Sequence, residues 1–177
     1  MSTYHHGDLP AALLRAAGRT LEKRGIGALS LREAARHAGV SHNAPYRHFP
    51  DREALLVALA AEGFAMLGER LRGQPGRAMG EAYVRFALEQ PQRFRLMFGG
   101  VLPMAKYPEL RAAADAAYQA LQQAFKEMPR PELAAAAAWS LVHGLAHLLL
   151  DGHFERADRE DFVRAVLGAV RFAQRAT

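Results

Sequence analysis

Cysteine is absent from this chain, so neither a disulfide nor a thiolate metal site is available, and a reducing cytoplasm is the simplest setting. The opening residues, MSTYHHGDLP, lack the apolar core that a secretory signal needs, which argues against export. No stretch rich in Val, Ile or Thr alternates with polar residues, and no internal repeat or low-complexity segment appears beyond alanine tracts. Strands and solenoids are thereby excluded, and an all-α fold is expected. A nucleophile elbow, a phosphate-cradling glycine loop and a thiol are all missing, so catalysis has no anchoring motif; neither enzymatic activity nor a cofactor is expected.

One long uncharged run is present, residues 133–150, LAAAAAWSLVHGLAHLLL. Its length suits a membrane span, but two histidines, a serine and many alanines transfer poorly to lipid. A helix buried between two helical partners accounts for it better, and no membrane partner is expected.

A chain of 177 residues has room for a small headpiece and one modest core. Its net charge of +5 is unevenly placed. Residues 1–52 hold 8 Lys and Arg against 4 acids, the remainder 15 against 14, and five of the eight histidines also lie at the front. Such a bias suits a surface that faces phosphates.

Within that front segment, residues 30–51 read SLREAARHAGVSHNAPYRHFPD, two short helices joined by a glycine-centred turn. Ser30 caps the first helix, and Glu33 is placed to reach back to the cap's own amide. Leu31, Ala34, Ala35 and Ala38 form its apolar stripe, and Gly39 leaves it in a left-handed conformation. Ser41 restarts the chain as a second N-cap, followed by His42, Asn43, Tyr46, Arg47 and His48, a helix with little reason to be buried.

From residues 4–66 the chain resembles the N-terminal domain of the tetracycline-repressor (TetR) family of transcriptional regulators. The resemblance rests on EKRGIGALS, LREAARHAGVS, YRHF and DREALL, in that order. It implies a repressor-like homodimer with a helical, ligand-binding C-terminal domain. A three-helix helix-turn-helix headpiece, residues 1–52, would be joined by a connecting helix, about 51–73, to a helical bundle for ligand binding and dimerisation, residues 74–177.

A helix docked in the major groove must present polar tips to the base edges. His42 and Asn43 are the first candidates for base contacts, with Tyr46 one turn on, and Arg32 joins them by resemblance. Ser30, the backbone around Ala44, Tyr46, His48 and Arg52 suit phosphate oxygens, with Arg47 a further candidate, and Ser41 belongs to the same DNA-binding set. Pro45 stands where the family more often has an aliphatic residue, and it removes one backbone donor.

Punctuation divides the rest. Asp8 caps a first helix carrying Leu9, Leu13, Ala17 and Leu21, which stops at Arg24 and Gly25; Asp51 caps the connecting helix. Later helices are expected over 77–89, 91–98, 108–128, 131–151 and 158–175. The loop 99–107 is the natural gate for a pocket.

Tyr83, Phe86, Met97, Phe98, Tyr118, Trp139 and His143 are the candidate ligand contacts, drawn from an aromatic and thioether set that serves core packing equally well. Trp139, His143 and Gly144 resemble the Trp-x-x-x-His-Gly element of one TetR C-terminal subfamily (WHG type), and their spacing puts Trp139 and His143 on one helix face. His143 and His147 have metal-ligand spacing, but Gly144 occupies the place of a zinc protease's glutamate and no acid supplies a third ligand, so no metal is expected. The last two helices, with the stripe Phe162, Val166, Ala169 or Val170 and Ala173, would pair with a two-fold copy as a four-helix bundle, setting two recognition helices about 34 Å apart on a palindromic double-stranded operator. Two functions follow: a repressor released by a small apolar or aromatic effector, or a DNA-binding regulator without such an effector, controlled by a protein partner.

Overall fold

The computed structural model describes residues 9–154 and 158–170, which form eight α-helices and no strand. They are α1 (Leu9–Arg24), α2 (Leu31–Ala38), α3 (Arg52–Leu71), α4 (Gly76–Glu89), α5 (Pro91–Phe98), α6 (Pro108–Ala124), α7 (Pro131–Leu150) and α8 (Arg159–Ala169). Short 3-10 turns occupy Ile26–Ala28, Ala44–Arg47 and Met104–Lys106. The expected Asp8 cap lies outside the described residues, as do residues 171–175 of the last expected helix, which differs from expectation in ending at Ala169, with Val170 extended. Two compact units emerge, residues 1–63 with 92–110, and residues 64–91 with 111–177. The sequence places 92–110 in the second domain; the structure packs it with the headpiece, and α3 runs unbroken from one unit into the other.

In the first unit, Leu13, Ala17, Leu21, Leu31, Ala34, Phe49, Leu55 and Leu59 form the core. Ser30 Oγ accepts from the Glu33 amide at 3.1 Å, and Gly39 ends α2 at φ 71°, which a residue without Cβ adopts freely. The reciprocal arm of the capping box differs from expectation: the Glu33 carboxylate turns to Arg36 Nη2 at 2.7 Å and Arg24 Nη1 at 2.9 Å, because two guanidinium groups offer stronger, charge-assisted bonds than one amide.

A second difference follows at Ser41. Ala44–Arg47 winds as a 3-10 turn, Asn43 precedes it, and Ser41 is no side-chain cap. Pro45 has no amide to donate to the Ser41 carbonyl four residues back, so the Ala44 amide takes that oxygen at 3.0 Å and the turn tightens. Pro45 is itself fully buried, beside Phe49 in the core.

Arg93 locks α5 into this unit. Buried to 5% exposure, it donates from Nη1 to the Leu59 carbonyl at 3.0 Å and to Glu62 Oε2 at 2.7 Å. The α5 amides of Gln92 and Arg93 donate to the Glu22 carboxylate of α1 at 3.2 and 2.8 Å, so one acid satisfies two orphan donors of a helix start. Gly63 leaves room for this packing: a Cβ there would fall 2.6 Å from Met97 Sδ and 3.1 Å from the Arg93 side chain.

The second unit packs α4 against α7 and α8 around Met79, Val84, Phe86, Ala138, Val142, Leu145, Leu149 and Leu167. The composition of α7 predicts burial between two partners. Only one face is buried: Ala135, Ala138, Val142, Leu145, Ala146 and Leu149 point inward, whereas Leu133, Ala137, Ser140, Gly144 and Leu148 form an exposed strip. By length and composition α7 is also apolar enough to cross a membrane, but so are many core helices of this size.

Candidate nucleic-acid interface and ligand cavity

The two-helix segment sets a polar face outward. Arg32, Ser41, His42, Asn43, Tyr46, Arg47, His48 and Arg52 are all exposed, Tyr46 to 47%, while Ser30 is half-buried with its hydroxyl engaged as the α2 cap. Ser30, Arg32, Tyr46, Asp51 and Arg52 surround one open depression, so residues up to 22 positions apart share a concave patch with two guanidinium groups against one carboxylate. Arg52 also braces the headpiece, since Nε donates to the Leu29 carbonyl at 2.8 Å and Nη2 to the Ile26 carbonyl at 2.6 Å, binding the loop before α2 to the start of α3. Asp51 Oδ1 caps that start, accepting from the Ala54 amide at 2.8 Å.

A chain of hydrogen bonds that the sequence did not announce fixes α2 against α1. Thr20 is buried and donates its only hydroxyl proton to the Ala16 carbonyl at 3.1 Å, so its oxygen must accept from His37 Nδ1, also at 3.1 Å. That assigns the His37 tautomer, leaving Nε2 to accept from Arg36 Nη2 at 2.7 Å. Arg36 in turn grips Glu33, and this bond holds the Glu33 carboxyl below its usual range. The acid is thus neutralised locally, which leaves the positive sign of the face intact.

In the second unit a cavity of about 150 Å³ opens between α4, α6, α7 and α8. Tyr83, Leu121, Phe125, Leu141, Val142 and Leu167 are among its walls, with Arg77 at one side. Behind Tyr83 stands an aromatic cluster. Trp139 Nε1 donates to the Tyr83 hydroxyl at 3.1 Å, and that hydroxyl lies 2.9 Å from His143 Nδ1. Tyr118 and Trp139 pack with ring centroids 5.3 Å apart, and His143 meets His147 edge-on at 4.7 Å. Burial pushes the Tyr83 phenol up, against the opposing effect of the Trp139 donor, and burial followed by the His147 charge pushes His143 down. Both groups are neutral near pH 7, with the phenol as donor and the imidazole Nδ1 as acceptor.

The candidate ligand residues therefore separate. Tyr83, Tyr118, Trp139 and His143 come together. Phe86 is fully buried in the core, and Met97 and Phe98 belong to the first unit, where Phe98 packs on Phe94 at 4.9 Å. Of the seven candidates only Tyr83 lines the cavity; Tyr118, Trp139 and His143 cluster behind it. The loop expected to act as a gate is tied within the first unit, Lys106 Nζ lying 3.0 Å from Glu53 Oε1 and the Tyr107 hydroxyl donating to the same carboxylate.

Residues 13–59 match the family model described as bacterial regulatory proteins, tetR family, and residues 77–170 match that of the tetracyclin repressor-like C-terminal domain. The chain belongs to the TetR family. TetR proteins of this kind are DNA-binding transcriptional regulators, not enzymes. A protein of unknown function from Rhodococcus sp. RHA1 is 35% identical, with 96% of each chain covered and a TM-score of 0.80. A tetR-family transcriptional regulator from Streptomyces coelicolor (23% identity, 94% of this chain and 80% of that one, TM-score 0.75) and a TetR family regulator from Marinobacter aquaeolei VT8 (23%, 91% and 92%, TM-score 0.61) share the fold. No curated protein matches the chain. Two residues of this TetR regulator escaped the sequence reading: Arg77, at the cavity, and Arg93, the buried latch. An arginine within an amphipathic helix reads as a solvated face, and only its long-range neighbours distinguish these two.

Proposed function

We propose that this TetR regulator is a homodimeric repressor that binds a palindromic operator and is released by a small ligand held in the second unit. The observation that carries the DNA-binding surface is the outward set of Arg32, His42, Asn43, Tyr46, Arg47 and His48 around one glycine-turned helix pair. His42, Asn43 and Arg32 read base edges; Ser30, Ser41, Tyr46, Arg47, His48 and Arg52 hold phosphates. Dimerisation uses the exposed strip of α7 with Ala165, Gly168 and Ala169 on α8 and Val170 just after it, small and apolar residues that let a second copy approach closely. Effector binding beside Tyr83, Trp139 and His143 in a WHG-type domain shifts α3, and with it the spacing of two headpieces on successive grooves. Access to a chromosomal operator requires a cytoplasmic protein.

Selection of preferred duplexes from a random pool, repeated at several salt concentrations, tests this reading. A two-fold symmetric motif whose affinity falls with log salt in proportion to the phosphates contacted supports it. A pool that returns no enriched sequence overturns it.

A further inference from the structure

The cavity between α4, α6, α7 and α8 is apolar inside and cationic at its edge, and that asymmetry specifies more than size does. Its volume of about 150 Å³ matches the scale at which an apolar cavity accepts a single benzene ring. Besides Arg77, the one wall residue with a polar side chain is Tyr83, whose hydroxyl is engaged by Trp139 and His143, neither of them a wall residue. The hydroxyl proton is directed to His143, and burial keeps the phenol protonated and the imidazole neutral. An ionised group gains nothing by entering, since no charge inside repays its lost hydration.

Arg77 is the one charged side chain among the described residues that line the cavity. Its guanidinium leans toward α8, where a Cβ on Gly168 would lie 3.3 Å from Nη1. The half-buried Glu81 pairs with its Nε at 3.6 Å, which leaves the terminal nitrogens of the exposed guanidinium as donors. The same rim carries Gly76, the first residue of α4, whose N-cap Pro75 makes no side-chain cap and whose first turn holds no acid, so the helix end adds to the positive sign.

We infer that the cavity takes a small monoanion with an apolar body, an aryl carboxylate or a short alkyl carboxylate, its ring or chain among Leu121, Phe125, Leu141 and Leu167 and its carboxylate on the Arg77 guanidinium. This rests on the ligand-binding reading of the second unit and names the chemical class that reading leaves open.

The chain has one tryptophan, and Trp139 donates to the hydroxyl of Tyr83, a residue of the cavity wall, so its fluorescence reports occupancy; calorimetry provides an independent readout. The probes are 4-ethylbenzoate and its neutral isostere 4-ethylbenzyl alcohol, titrated into the 177-residue chain and into its Arg77→Gln variant, with operator binding measured in parallel. The expected result is about tenfold tighter binding of the carboxylate, a preference abolished in Arg77→Gln while affinity for the alcohol is unchanged. Equal affinities in the wild type, or a preference that survives Arg77→Gln, overturn the inference. Binding of neither probe by a protein that still selects its operator overturns both the inference and ligand sensing, but leaves DNA binding in place. Arg77-dependent carboxylate binding that fails to release operator upholds the inference and removes only the effector mechanism.

Discussion

The hydroxyl of Tyr83 sits 2.9 Å from Nδ1 of His143 while receiving the indole proton of Trp139 at 3.1 Å, so one phenol on α4 joins two residues of α7. Replacing Tyr83 by phenylalanine removes the acceptor for Trp139 Nε1 and the donor to His143 Nδ1. A loss of about 1–3 kcal/mol in urea unfolding is expected, the cost of stranding partly buried polar groups. A shift of the Trp139 emission should accompany it. An unchanged midpoint and spectrum would show that water replaces the phenol without cost.

His143 also makes stability depend on pH. Its folded pKa lies below the ordinary 6.5, chiefly through burial. Between those two values the unfolded chain binds more protons, so stability rises with pH in this window. The contribution is complete above about pH 6.5 and is lost as pH falls through the depressed folded value. His143→Asn, which keeps an acceptor near the Tyr83 hydroxyl but does not titrate, should flatten that part of the curve. The comparison is the difference in melting temperature between pH 7.5 and 5.5 for the two proteins.

Arg93 holds α5 to α3 through Leu59 and Glu62 while its own Nε lies buried without a partner. Arg93→Ala removes these bonds and empties a tightly packed site beside Gly18 and Gly63. A destabilisation of about 3–5 kcal/mol is expected. Glu62 is more than a third exposed and regains solvent readily, so Glu62→Gln should cost under about 1 kcal/mol. Comparable losses in the two variants would assign the latch to the ion pair and not to Arg93 packing.

On the DNA face, Asn43→Ala and Arg32→Ala should each cost about 1–3 kcal/mol on the preferred operator and relax one base position. Arg47→Ala should weaken all sequences alike and lower the salt slope by about 1. Arg52→Ala differs, since its guanidinium also holds the Ile26 and Leu29 carbonyls. It should lower thermal stability together with DNA affinity. Competition binding against single-site operator variants, paired with thermal melts, distinguishes these outcomes.

Pro45 controls the shape of the segment that carries Asn43. Pro45→Ala restores an amide able to donate to the Ser41 carbonyl, so residues 44–48 should move toward α-helical Cα chemical shifts. Shifts that stay where they are would place the cause of the 3-10 turn in the packing around Phe49.

Local chemistry carried most of the helix boundaries. Ser30, Gly39 and Asp51, and the prolines at 91, 108 and 131, act through caps, left-handed backbone and missing donors within a turn of themselves, so helix starts are legible without any fold. Pro45 marked the unusual segment, but not its 3-10 winding, which depends on which neighbouring amide takes the Ser41 carbonyl. Only tertiary structure grouped residues 92–110 with the headpiece, because Arg93 reaches Leu59 and Glu62 more than 30 positions away. The same holds for the aromatic cluster behind the cavity: Tyr83 and His143 stand 60 residues apart, and no spacing rule connects them. Periodicity states which face of a helix turns inward. What that face meets is decided by chain closure and packing, which is why Phe86, Met97 and Phe98 share an aromatic or thioether character with Tyr83 yet lie away from its cavity, while Arg77 lies beside it.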